Sequence, residues 1–260
     1  MNDDKEISPE DMRALYAMAE AGIEFVPASG RAFGGMPEEI VNLPFINWAV
    51  EVNGARVYDI KAGCVRHYAV IERDRAVELF DHLQSFGTYC DCFIDGQALA
   101  PGEYYDRIPE YACGEALQQV YFDTRRPVEN LREQIVNSNK GVEKFQMLFK
   151  SDAERQVAAA DIAKSFPDIT ITSAIDFNLE LNSVDASKGL ALMWLCRELC
   201  VSPKQVMAIG DGRNDISMLK AAGFSVAVEN AEDEVKKAAD HITGDNNSSG
   251  FARAIDLILD

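Results

Sequence analysis

Gly210-Asp211-Gly212-Arg213-Asn214-Asp215 follows an apolar run, Gln205-Val206-Met207-Ala208-Ile209, and precedes Ile216, Met218, Leu219 and Ala222 at helical spacing. The run reads as a short buried strand and the spacing that follows as an amphipathic helix. The hexapeptide is therefore a strand-to-helix turn at the carboxyl end of a strand, the edge at which open α/β sheets bind ligands. Two carboxylates four residues apart, with glycines to turn the backbone, suit a hard cation such as Mg²⁺. Asn214, at the helix start, can offer its amide to a phosphate oxygen beside the helix's own N-terminal amides. An acidic loop with an aspartate helix cap is the plainer alternative for these six residues alone.

Two further stretches have the same character. Ile23-Glu24-Phe25-Val26-Pro27-Ala28 reads as a strand and runs into Ser29-Gly30-Arg31, where a hydroxyl, backbone amides and a cation meet; a simple helix cap fits the same three residues. Asp185-Ala186-Ser187-Lys188-Gly189 opens a helix through Leu190, Met193, Trp194 and Leu199. A lysine in the first helical turn opposes the helix dipole, a placement that makes sense beside an anion, while a solvated surface lysine is the ordinary alternative. Asn53-Gly54, after the strand-like residues 47–53, is either a hairpin turn or a device that aims an Asn at a site.

Composition narrows the class. The 260 residues carry a formal charge of -18, with 47% apolar residues. That charge argues against nucleic acid, whose phosphates need clustered Lys and Arg. No apolar run approaches a membrane span, and Met1-Asn2-Asp3-Asp4-Lys5-Glu6 has no leader character, so the expectation is a cytoplasmic protein with no membrane or nucleic-acid partner. Nothing in the sequence fixes an oligomeric state. The six cysteines form no CxxC pair, and Cys196 and Cys200, one helical turn apart, read as reduced core thiols.

The rest of the chain divides in three. Ser8-Pro9-Glu10-Asp11 opens a helix, with Ser8 as N-cap and Asp11 placed to close a capping box. From about Glu72 the texture changes to helices mixed with hairpin-like strands, which suggests an inserted α+β unit over residues 72–181 between two parts of a parallel-sheet core, 1–71 and 182–260. Within the insert, Arg107, Arg125 and Arg126 could meet an anionic substrate group, and surface charge is the expected role of each.

Ser29-Gly30-Arg31, Ser187-Lys188-Gly189 and Gly210–Asp215, in this order, resemble the second, third and fourth motifs of the haloacid dehalogenase-like phosphatases. Asn53-Gly54-Ala55, Phe224–Ala231 and Ala238–Thr243 look like the Cof-type branch, which carries a larger inserted cap. The resemblance implies a doubly wound α/β core, an α/β cap, and Mg²⁺-dependent hydrolysis of small phosphate esters, sugar phosphates or similar metabolites, through an aspartyl-phosphate. Carried over residue by residue, it implies that Ser29, Gly30, Arg31, Asn53, Lys188 and Asn214 bind phosphate and substrate. Lys188 and Asp215 would be catalytic, and Asp211 and Asp215 would hold the metal.

The family's first motif, an apolar strand ending in Asp-x-Asp-Gly-Thr, has no counterpart here; Phe93-Ile94-Asp95-Gly96 has Phe at the nucleophile position and falls within the cap. The expectation is that Met1 is an internal methionine, that the chain as given lacks the first central strand and has little or no turnover, and that it folds poorly or closes its sheet abnormally. A gene that truly begins here would encode a non-catalytic phosphometabolite binder. A phosphosugar mutase would need the same absent aspartate pair.

Overall fold

The structure, a computed structural model, describes Asn2, residues 6–173 and residues 177–259. Ser8 caps the first helix, Pro9–Glu20, by accepting from the Asp11 amide. The capping box does not close as the sequence suggested. The buried Asp11 carboxylate instead accepts from the Ala252 amide at 3.0 Å, tying the first helix to the last, Gly250–Leu259.

The core begins with an antiparallel meander of β1 (Trp48–Glu51), β2 (Arg56–Asp59) and β3 (Cys64–Tyr68). The cap carries a six-stranded sheet of β4 (Tyr89–Ile94), β5 (Gln97–Pro101), β6 (Arg125–Val128), β7 (Lys144–Leu148), β8 (Ile169–Thr172) and β9 (Asn178–Ser183). Their spatial order is β6-β5-β4-β7-β9-β8. The chain then returns to the core through the helix Lys188–Glu198 and a parallel sheet of β10 (Met207–Gly210), β11 (Phe224–Ala227) and β12 (His241–Ile242). The cap sheet thus runs through Ser183, two residues past the expected boundary at 181.

Alternation fixes how the cap is built. Cys90, Cys92, Phe145, Met147, Leu179 and Leu181 point to one face and pack with the helices Arg73–Leu83 and Asp152–Ser165. Successive strand residues point to opposite faces, so Asp91, Lys144, Gln146 and Glu180 occupy the other. In an antiparallel sheet such a polar face is ordinarily wet. Here all four are buried: the cap's own Tyr121 and Arg125 cover Asp91 and Gln146, and the core residues Gly30 and Asn53 meet Lys144 and Glu180.

The core's strands stand in two groups, the antiparallel β1–β3 and the parallel β10–β12. Residues 23–28, expected as a strand, form only an isolated bridge in which Ala28 lies beside Val50: Pro27 O accepts from Val50 N and Ser29 N donates to Val50 O. Val26 and Ala28 therefore turn their own amides and carbonyls the other way. On β10, Val206 and Gly210 carbonyls accept from the β11 side, which leaves Met207 and Ile209 turned away from β11. No hydrogen bond among the described residues joins these two edges, although side chains on both sides share packing clusters, Phe25 with Met207 and Ala28 with Ile209. Without a partner on that side, 23–27 has no ladder to make it a regular strand.

Of the cysteine pair, Cys196 is buried as expected and Cys200 is exposed. It lies beyond the helix end with φ 55°, so the helical register that would have turned it inward has already stopped. No helix of the described residues is long and apolar enough to cross a membrane.

Candidate active site

The residues singled out in sequence converge at the carboxyl ends of β10 and of residues 23–28. Asp215 is buried at the turn after β10; its Oδ2 accepts from the amides of Asp211 and Gly212, both at 3.0 Å, and its Oδ1 lies 2.5 Å from Lys188 Nζ. Ser187 caps the helix that carries Lys188 by accepting from the Leu190 amide at 3.1 Å. Lys188 is itself buried, so it is not the solvated surface lysine of the plainer reading. Asp215 supplies the anion that its place in the first helical turn called for.

Asp211 makes no ion pair among the described residues. Desolvation by the surrounding protein, and then the charge of Asp215, raise its carboxyl above the ordinary range, against the pull of Lys188. Asp211 is nonetheless exposed at the turn, so its carboxylate is open to a hard cation, whose other oxygen ligands would have to come from outside this pair. The two aspartates thus differ: Asp211 is exposed and has no cation partner among the described residues, while Asp215 is engaged by Lys188 and two amides.

A second group lies alongside. The Ser29 hydroxyl accepts from the Arg31 amide at 3.1 Å, bending the chain so that Gly30 meets Asn53. A Cβ on Gly30 would stand 2.8 Å from Asn53 Oδ1 and 3.6 Å from Asn214 Nδ2, which is why the position has no side chain. Asn214 Nδ2 donates to Asn53 Oδ1 at 3.0 Å, and Asn53 Nδ2 donates to the cap, at 2.7 Å to Glu180 Oε2 and 3.1 Å to Asn182 Oδ1. Asn53 sits at the turn between β1 and β2 with φ 60°. It makes the turn between the strands, and its side chain joins Asn214 to the cap.

Between this floor and the polar face of the cap lies a cavity of about 460 Å³, lined by Ser29, Gly30, Arg31 and Asn214 below and by Lys144 and Glu180 among the cap residues above. Lys188 and Asp211 stand beside it, outside its lining. Lys144 Nζ donates to Gly30 O and to Glu180 Oε1, both at 2.8 Å, across the domain boundary. Burial pushes the Glu180 carboxyl up, but the charge and hydrogen bond of Lys144 and the hydrogen bond of Asn53 together hold it below the ordinary value.

Arg125 corrects the sequence reading. Arg126 and Arg107 are exposed, but the Arg125 side chain is only 8% exposed and lines the cavity. Its Nε donates to Asp91 Oδ2 at 3.0 Å and its Nη2 to Gln146 Oε1 at 2.9 Å, with the guanidinium 4.1 Å over the Tyr121 ring. The residues missed in sequence, Asp91, Lys144, Gln146 and Glu180, share one signal. Each is polar and alternates with apolar neighbours inside a strand, a pattern that marks a face without saying what will cover it.

The family profile of the haloacid dehalogenase-like hydrolases matches residues 1–255. The chain is 29% identical to the phosphatase YwpJ of Bacillus subtilis, over 100% of this chain and 96% of that protein. It is 26% identical to the 5-amino-6-(5-phospho-D-ribitylamino)uracil phosphatase YcsE of the same organism, over 98% of this chain and 90% of that protein. Among solved structures, a haloacid dehalogenase-like hydrolase from B. subtilis superposes with a TM-score of 0.83 at 27% identity, covering 98% of this chain and 95% of the other.

Proposed function

This chain belongs to the haloacid dehalogenase-like hydrolases, and on that premise we propose that its site serves the hydrolysis of phosphate monoesters of small metabolites. The observation that carries the reading is the convergence of Ser29, Gly30, Asn214 and the Lys188–Asp215 pair at one sheet edge. Ser29 and the Gly30 amide hold phosphate oxygens, with Arg31 and the Asn214 amide beside them. Lys188 neutralises charge between phosphate and nucleophile, and Asp215 keeps its ammonium in place. Asp211 would hold Mg²⁺, which when bound would supply positive charge beside the phosphate.

The nucleophile is an aspartate that this sequence does not supply in an Asp-x-Asp-Gly-Thr setting. Residues 26–28 and β10 lead into Ser29 and Asp211, so a strand paired with their free edges would deliver its last residues to the phosphate. There a carboxylate oxygen attacks phosphorus, the ester P–O bond breaks, and a second aspartic acid protonates the departing alkoxide. Water, giving its proton back to that aspartate, then cleaves the acyl phosphate to inorganic phosphate. The test is phosphate release from a sugar phosphate by a protein extended ahead of Met1 with such a strand, with and without chelator. Unchanged release after Asp211→Ala or Lys188→Ala would sink the reading.

The absence of the aspartate pair favours a second reading for the chain by itself, a phosphometabolite binder without turnover. Thermal stabilisation by a phosphorylated ligand with no phosphate released supports it. Metal-dependent release by the 260-residue chain, abolished by Asp211→Ala, would overturn it and the assigned nucleophile together.

A further inference from the structure

We infer that the cap selects phosphate esters whose leaving group is neutral and hydroxyl-bearing, and excludes those that carry a second phosphate or a carboxylate. The inference rests on the phosphate-ester reading above and specifies its substrate.

The argument is the charge balance of the cavity ceiling. Its two cations, Lys144 and Arg125, are each matched by a buried carboxylate: Glu180 at 2.8 Å and Asp91 at 3.0 Å. Lys144 is further committed to Gly30 O, and Arg125 to Gln146 and, through Nη1 at 2.7 Å, to Thr124. Asp91 is fully buried, and its Oδ1 has no hydrogen-bond partner. A second anion that drew Arg125 toward itself would leave this carboxylate without its cation in a site that water does not reach. Breaking a buried pair in this way is strongly unfavourable. Glu180 stands in the same relation to Lys144. At the mouth, Asp123 is exposed and makes no ion pair among the described residues, so the one further charge that the cap adds there is negative. Arg31 lies on the floor next to Ser29, within reach of the phosphate that the site already takes.

What the ceiling offers instead suits a neutral partner. Glu180, whose oxygens already accept from Lys144 and Asn53, keeps lone pairs to which hydroxyl groups can donate, Gln146 lies beside it between Arg125 and Tyr121, and the rings of Phe93 and Tyr121 supply apolar surface. Hydroxyls can share these acceptors without dismantling either ion pair, whereas a carboxylate or phosphate cannot.

The test is calorimetric titration of the 260-residue chain, in the presence of Mg²⁺, with inorganic phosphate, ribitol 5-phosphate, 2-phosphoglycolate and fructose 1,6-bisphosphate. The expected result is that ribitol phosphate binds at least about tenfold more tightly than phosphoglycolate or the bisphosphate. Asp91→Asn, which releases Arg125 with little change of shape, is expected to shift this ratio toward the second anion by about tenfold. A purely structural role for Asp91 would weaken all ligands alike. Equal or tighter binding of the doubly anionic esters to the unaltered chain overturns the inference while leaving the phosphate site standing. Failure of every ligand, inorganic phosphate included, overturns the phosphate-site reading itself and this inference with it.

Discussion

The guanidinium of Arg56, on the core, donates to the carboxylate of Glu143, on the cap, across 3.1 Å, and both side chains are all but shut off from water. Glu51 flanks the same guanidinium at 3.2 Å, and the Gly96 amide donates to Glu143 at 2.9 Å. Two carboxylates thus share one cation at the junction, close to where Ile71 and Val142 form a bridge between the two chain crossings.

That excess of carboxylate makes stability depend on pH. Burial raises Glu143 from 4.5 to about 7, against the pull of Arg56 and the Gly96 amide, and burial raises Glu51 as well. A raised acid binds its proton more readily folded than unfolded, so its contribution is fully present below the unfolded value and is lost as pH rises through about 7. The loss is on the order of 3 kcal/mol at most. Urea denaturation of the protein and of Glu143→Gln at pH values on either side of that window should show the variant gaining relative to the parent as pH rises. A parallel pair of curves would refute the assignment. Glu51 leaves a residual slope of the same sign in the variant.

Gly96→Ala attacks the same junction from the backbone. Gly96 has φ +76°, and a Cβ there would lie 1.9 Å from Arg56 Nη1. Alanine must therefore both adopt a left-handed conformation and displace the guanidinium from Glu143. A loss of about 1–3 kcal/mol is expected. It should be smaller in the Glu143→Gln background, because part of the cost is the broken ion pair, and a double-mutant cycle measures that difference. Strict additivity would show that Arg56 relaxes without losing its partner.

Lys188→Met is the severe case. It removes the cation 2.5 Å from Asp215 and leaves a buried carboxylate held by two amides alone. Removing one member of a buried pair costs about 3–5 kcal/mol. Adding Asp215→Asn should return part of that stability and none of the turnover of the strand-completed protein. A variant that loses turnover with unchanged stability would mean that the pair is not formed before substrate binds.

What can be read in the sequence follows from how local each signal is. The turn at 210–215, the helix start at Lys188 and the bend at Ser29 are local matters of glycine, cap and apolar spacing, so the residues themselves declare them. The partner of Asp11 is not local: it lies 241 residues away, at Ala252, and a capping box is the nearby answer to the same side chain. Arg125 escapes a local reading for the same reason. An arginine followed by Arg126 and Pro127 looks like surface charge, and only the assembled sheet turns it toward Asp91, 34 residues earlier. Residues 23–28 read as a strand from their own composition, but a strand is a relation to neighbours, and on one side these residues have none among the described residues.

That unpartnered side gives the last prediction. Val26 and Ala28 on one edge and Met207 and Ile209 on the other turn amides and carbonyls toward an interval that no described strand fills. In hydrogen exchange these amides should be protected far less than those of Ala208 and Gly210, which face β11 on the same strand. A peptide of alternating or continuous β-branched residues ending in Asp-x-Asp-Gly-Thr, added in trans, should raise the melting temperature in proportion to the logarithm of its concentration above its dissociation constant. It should also slow exchange at Met207 and Ile209 specifically. The peptide's main chain can pair with both edges, and each hydrogen bond so formed contributes about 0.5–1.5 kcal/mol net of its exchange with water. A peptide of the same length with Pro at alternate positions should do neither, because proline cannot donate to the ladder. Equal protection of Met207 and Ala208 in the chain alone, with no response to the peptide, would mean that the two halves of the core sheet already pair with each other in solution.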